Sequence, residues 1–259
     1  MQDNIGVVMM NLGDHAASLQ YHVRALRLTV GKFGEKHVNV AAVQDKIGLV
    51  YRDMNDLENA LKWHERAFQM RNEILGERDL GTATSKSAIA DVYFQQGDFD
   101  KALSLYTEVL EIQEQVLSHD HLDVAATLHN IAIVLKNKDL DASWEKFEKS
   151  LGIIVGVYGY NHRSVSDTLS SMATIRFAQK NWESALDTFQ QSLDIANNVL
   201  GKEHPDVAST LYGMGATYAK LGRSEEAEEK YRTVRGGGGR SYELRKPHFC
   251  RCRRRRFGR

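Results

Sequence analysis

Four histidines sit where short turns could carry chemistry: His37, His121, His162 and His204. Each closes a four-residue segment, Gly34-Glu35-Lys36-His37, Ser118-His119-Asp120-His121, Gly159-Tyr160-Asn161-His162 and Gly201-Lys202-Glu203-His204. Four imidazoles brought to one point would make a transition-metal centre, because ligation needs every donor about 2 Å from the ion. Their regular spacing argues against that. With Gly76-Glu77-Arg78-Asp79, the first residues of the five turns fall 42, 42, 41 and 42 positions apart. One histidine per repeat in a stack of paired helices lies roughly 15–20 Å from the next. These residues are therefore assigned to turns and helix starts, and no metal is expected. The segment His248-Phe249-Cys250-Arg251-Cys252 offers three further donors inside an arginine-rich stretch, too little for a metal assignment.

Covalent and acid–base chemistry find no better footing. The sequence contains no Gly-x-x-x-x-Gly-Lys phosphate loop, no Gly-x-Ser-x-Gly elbow and no His-Glu-x-x-His pair. Its many acids follow helical surface spacing, so no catalytic residue and no cofactor are assigned, and the chain is not expected to be an enzyme. His22 and His64 stand where other repeats carry Tyr106, Phe147, Phe189 and Tyr231, which reads as a place beside the core.

The elements that hold these residues are read from the same period. Gly6, Gly48, Ala90, Ala132, Ala173 and Gly215 form one small-residue column, and Ser18, Ala60, Ala102, Ser143, Ala185 and Ala227 form a second one twelve or eleven residues on. Within a repeat the apolar spacing is helical, as in Ile47, Val50 and Tyr51, then Leu61, His64, Ala67 and Phe68. The chain thus reads as all-α, a solenoid of about six antiparallel helical hairpins whose small residues let backbones approach closely. Short turns such as Leu12-Gly13-Asp14, Gln96-Gly97-Asp98 and Leu221-Gly222-Arg223 supply a left-handed residue and then a cap. The fourth repeat lacks this glycine, and Asn137 is expected to take the left-handed position.

The net charge of zero hides an asymmetry. Ten of the 34 basic residues but only one of the 34 acidic ones lie from Arg235 onward, leaving 24 against 33 and a net charge of −9 before that point. Gly236 to Gly239 is a run that no helix favours, so the array is assigned to residues 1–234, with its first and last repeats incomplete. Residues 235–259 read as a disordered basic Gly/Arg-rich tail, and a shifted reading frame at codon 235 would produce the same break. Only two cysteines occur, Cys250 and Cys252, so no disulfide framework holds the repeats. No apolar stretch is long enough for a bilayer span and the first residues do not form a signal peptide, which makes a cytoplasmic location and no membrane contact the expectation.

The columns Gly48, Tyr51, Ala60, His64 and Ala67, repeated as Ala90, Tyr93, Ala102, Tyr106 and Val109, resemble the tetratricopeptide repeat. The 42-residue beat and the linker Gly201-Lys202-Glu203-His204-Pro205-Asp206-Val207-Ala208-Ser209-Thr210-Leu211 are similar to those of the kinesin light chain subtype. The resemblance spans Asn4 to Val234 and implies a right-handed superhelix whose first helices line a groove. At the groove positions stand Asn4, Lys46, Asn130 and Ser171 on one level, and Arg52, Phe94, Lys136 and Phe177 on another. Asparagine can pair with a peptide backbone, the cations with acidic side chains and the phenylalanines with an apolar one. The implied function is a protein-interaction scaffold or cargo adaptor whose partners are other proteins or peptides, a kinesin-type motor or its cargo among them. The rival reading is a nucleic-acid-associated or nuclear protein that uses Arg253-Arg254-Arg255-Arg256, and it requires the tail to be genuine.

Overall fold

In the computed structural model the backbone is described for residues 2–236. Those residues form twelve helices and no strand. The helices pair in chain order: α1 (Gln2–Asn11) with α2 (His15–Phe33), α3 (Val38–Asp53) with α4 (Leu57–Leu75), and α5 (Leu80–Gln96) with α6 (Phe99–Val116). The remaining pairs are α7 (Leu122–Leu135) with α8 (Leu140–Tyr158), α9 (Arg163–Ala178) with α10 (Trp182–Leu200), and α11 (Pro205–Lys220) with α12 (Ser224–Gly236). The chain is a helical-repeat solenoid that divides into two compact units, Met1–Ile153 and Ile154–Arg259. Helix α12 runs two residues past the expected array end at Val234. The basic segment expected to be disordered lies outside the described residues from position 237 onward.

Turns inside the hairpins repeat one hydrogen-bond device. The N–H groups of Asp14, Asp56, Asp98, Asn181 and Arg223 each reach back five residues, to the carbonyls of Met9, Tyr51, Tyr93, Arg176 and Tyr218. A left-handed residue precedes each of them: Gly13, Asn55, Gly97, Lys180 and Gly222. This closing bond satisfies a carbonyl that the helix end would otherwise leave unpaired. The fourth hairpin corrects the expectation for Asn137, which does not have a positive φ. There the Asp139 N–H reaches back only four residues, to the Leu135 carbonyl at 2.7 Å. The missing position in that repeat is the left-handed residue itself, so the chain turns in a tighter right-handed coil.

Between hairpins, Gly76 and Gly201 combine φ of 89° and 85° with ψ of 168° and 158°. Side chains with a Cβ essentially never adopt that region, which explains the glycine that opens the linker. Its last residue has a different task. The Nδ1 atoms of His37, His121, His162 and His204 each accept a hydrogen bond from the backbone N–H two residues on, at 3.1–3.2 Å. In the third repeat Asp79 does the same with the Gly81 N–H at 2.7 Å. The histidine column is thus a set of N-caps in the proton-on-Nε2 tautomer.

The core lies between neighbouring hairpins. In the first unit Ala90, Ala102, Tyr106, Leu110, Val124, Leu128, Ile131 and Val134 form one cluster. In the second unit Ala173, Ala185, Leu186, Phe189, Leu193, Ala196, Val207, Leu211 and Met214 form another. Where the second small-residue column carries serine, its hydroxyl donates to the first column's carbonyl: Ser18 to Gly6 at 2.8 Å and Ser143 to Ala132 at 2.6 Å. His22 and His64 are not beside the core but inside it, each fully buried. A Cβ at Gly6 or Gly48 would lie 2.7 Å from the His22 or His64 ring. The bare backbone there is what admits the imidazole.

Candidate functional site

The expected groove residues belong to the first helices of the hairpins. In the first unit these are α1, α3, α5 and α7, and in the second they are α9 and α11. Asn4 is exposed on α1, and Lys46 on α3 is half-buried. Lys46 does not stand free, because its Nζ is hydrogen-bonded to Asp3 Oδ2 on the neighbouring helix. Arg52, near the other end of α3, donates through Nη1 to Asp91 Oδ2 on α5 at 2.8 Å, with Asp53 at 3.7 Å. Both cations already hold a carboxylate of the adjoining repeat, so an incoming acidic side chain competes with one or displaces it.

Phe94 lies on α5 one turn beyond Asp91, so Arg52, Asp91 and Phe94 are brought together on adjacent helices. The Phe94 ring sits 5.6 Å from Phe99 at an interplanar angle of 55° and packs on the first unit's core, which leaves only part of its surface for a ligand. Asn130 lies on α7 and Lys136 is the residue that caps its C-terminal end, both half-buried. On α9, Ser171 turns its hydroxyl inward to the Asp167 carbonyl at 3.1 Å, and Phe177 packs against the second unit's core. In the first unit the face that results is polar and partly self-paired, with the Phe94 ring packed beneath it.

Carboxylates that the sequence reading did not single out organise this face. Asp3 Oδ1 takes the Nδ1 of buried His22 at 3.0 Å while its other oxygen takes Lys46. Asp45 repeats the arrangement 42 positions on. Its Oδ1 meets His64 Nδ1 at 2.9 Å, and its Oδ2 accepts from Ser85 Oγ at 2.9 Å and from Arg71 Nη1. Asp91 accepts the Tyr106 hydroxyl on one oxygen and Arg52 on the other. A signal was present in the sequence: an acid three residues before the small column occurs in the two repeats whose aromatic position is histidine. Burial pulls His22 below the usual imidazole range, against the opposing hydrogen bond and charge of Asp3. Burial, then the Asp91 carboxylate and its hydrogen bond, pushes the Tyr106 hydroxyl far above its ordinary value. His22 and Tyr106 therefore stay neutral and act as hydrogen-bond posts that fix Asp3 and Asp91.

In the second unit the Arg163 guanidinium at the start of α9 binds Asp206 at the start of α11, with Nη2–Oδ2 at 2.8 Å, and lies 3.6 Å from Asp167. Burial, and secondarily the charge of Asp206, raises the Asp167 carboxyl. Among the described residues no group of three His, Cys, Asp or Glu side chains is placed to hold a metal ion, and no helix is long and apolar enough to cross a membrane.

A tetratricopeptide repeat profile matches residues 1–73, 46–115, 81–154 and 164–235. The chain belongs to the tetratricopeptide repeat family. Among solved structures it is similar to BtubC (BKLC) from P. vanneervenii, with a TM-score of 0.73 and 19% identity over 87% of this chain and 90% of that one. A putative kinesin light chain from Podosopora anserina with nearly identical TPR-like repeats gives 0.66 at 21% identity, over 78% of this chain and 96% of that one. The apo form of RapI gives 0.65 at 16% identity, over 91% and 96%. At these identities the likeness is one of fold. A comparison with curated proteins gave no match. Tetratricopeptide arrays are interaction architectures, and this one presents the polar first-helix face described above.

Proposed function

We propose that this protein is a scaffold of kinesin light chain type, working in the cytoplasm, that holds extended peptide segments of partner proteins against its first-helix face. The observation that carries the reading is the row of Lys46, Arg52 and Phe94, two cations held by the carboxylates Asp3 and Asp91 beside a half-buried ring. Asp3 and Asp91 show which group these cations accept, and the extended backbone of a peptide suits the amides of Asn4 and Asn130. On the second unit Phe177 offers an apolar contact and Ser171 a hydroxyl. Motor or cargo association follows from the resemblance to the light chain subtype and is part of the proposal.

The test is a peptide array of overlapping acidic and apolar 15-residue segments probed with the full chain. Retention of a subset of peptides, weakened about tenfold by Phe94→Ala combined with Asn130→Ala, supports the proposal. Retention that the double substitution leaves unchanged sinks it.

A further inference from the structure

An apolar stripe lies bare on the first hairpin. Ile5, Val8 and Leu12 follow helical spacing along one side of α1 and the turn that ends it. Val8 is 52% exposed and Leu12 73%, and Ile5 is half-buried. The residues equivalent to Val8, two positions after the first small column, are Val50, Val92, Val134, Ile175 and Thr217, none more than 1% exposed. Those equivalent to Ile5 include Ile47, Ile131 and Met214, all buried. Their cover comes from the second helix of the preceding hairpin: Ile47 shares a cluster with Leu19, Val23 and Leu26 of α2, Ile131 with Tyr106 and Leu110 of α6, and Met214 with Leu186 and Leu193 of α10. Helix α1 packs on α2 as the other first helices pack on their own partners. The exposure of Val8 therefore marks the side on which the later hairpins receive a neighbour.

The last described hairpin does not offer the matching surface. Leu19, Leu103 and Leu186 stand one residue after the second small column, and each packs on a cluster that contains the first helix of the next hairpin. In α12 that position is Glu228, which is exposed and bound to Arg232 Nη2 at 3.0 Å. Pressing this charged pair onto Val8 and Leu12 would strip its water and supply no new partner, so copies of the chain do not stack head to tail through these two faces. A second stripe of the same kind is a better match. The one ionisable side chain on α1 is Asp3, and it is turned to His22 and Lys46. Beside the apolar residues stand the exposed Asn4 and Asn11. Two such faces meet without like charges, and an amide, being both donor and acceptor, can pair with its own kind.

We propose that the protein forms a symmetric dimer in which α1 of one copy packs antiparallel on α1 of a second copy, with the two-fold axis near Val8. About that point Val8 meets Val8 of the second copy, Ile5 lies toward its Leu12, and Asn4 toward its Asn11. An isologous contact of this kind uses the same patch on both copies and closes at two, so it buries the stripe without open-ended growth. The contact is short. Three apolar side chains from each copy bury less than the roughly 800 Å2 per partner of a standard interface, so the dimer should dissociate on dilution, with a Kd on the order of 10–100 μM.

The test is sedimentation velocity of the full chain between about 1 and 200 μM, a range that brackets the expected Kd. The mass should rise from that of a monomer toward that of a dimer. Val8→Glu and Val8→Lys, each alone, should stay monomeric, because the two-fold axis sets like charges against each other. Mixed one to one they should associate at least tenfold more tightly than either alone, because the same axis now pairs Glu with Lys. Recovery on mixing shows that neither variant lost its dimer by misfolding. Phe94→Ala combined with Asn130→Ala should leave the dimer intact, since neither residue lies on α1. A wild-type chain that stays monomeric, a mass that grows past a dimer, Val8 variants that associate as the wild type does, or a mixture no tighter than its parts would each overturn the proposal.

Discussion

At the linker, each repeat uses one hydrogen-bonding side chain to start its first helix, and the residue is histidine four times and aspartate once. The common requirement is an acceptor within reach of the N–H two positions on, which neutral Nδ1 and a carboxylate oxygen both provide. His121→Ala should therefore cost about 1 kcal/mol, while His121→Asp should cost little, since Asp79 does this task natively. Urea titration of both variants decides the matter, and equal losses would show that the ring acts by packing instead. Lys180 holds φ at 62°, a region that disfavours residues with a Cβ. Lys180→Gly should raise stability by about 1 kcal/mol in the same assay.

His129 has a pH consequence. Burial pulls its pKa down to about 4, whereas the unfolded chain titrates near the ordinary value of 6.5. Between those limits the unfolded state binds the extra proton, so the contribution is complete above about pH 6.5 and is lost as the pH falls to about 4. Its size is on the order of 3 kcal/mol. In His129→Phe the slope of stability against pH should flatten across that window, and an unchanged slope would show that other groups set it.

For the helices, the decisive quantity is how closely two backbones can approach. Ala102 is fully buried in the small column of α6, within the cluster that also holds Ala90 and Tyr106. A larger side chain there must displace a neighbouring helix or leave its rotamer, so Ala102→Leu should destabilise by about 1–3 kcal/mol. Thermal melting of that variant beside one at exposed Glu111 separates overpacking from a general response to substitution. Both units seal their hairpins with carboxylate bridges as well as apolar packing. In the first, Asp3, Asp45 and Asp91 bridge successive hairpins, and in the second, Asp206 binds Arg163 while Phe189, Leu193, Val207, Leu211 and Met214 pack together.

Across the whole molecule, repetition means that each hairpin contacts mainly its sequence neighbours, and stability is approximately a sum of hairpin and interface contributions. Deleting the α5–α6 hairpin, Leu80–Leu117, should leave the ellipticity per residue nearly unchanged while lowering the melting temperature. Collapse of ellipticity well beyond the deleted share would contradict modular stacking. The sequence alone determined the repeat, the hairpin pairing and the turn positions. These depend on residues within one 42-residue period, where helical spacing, glycine conformation and N-cap chemistry are local. The same locality let the linker histidines be assigned to helix starts. Tertiary structure decided what depends on neighbours one hairpin away. It gave Lys46 and Arg52 their carboxylate partners and put His22 and His64 inside the core. Lys46 lies 43 positions from Asp3 and Arg52 lies 39 from Asp91, separations that no pattern within a single repeat encodes, while the histidine burial depends on how closely the two helices of one hairpin approach.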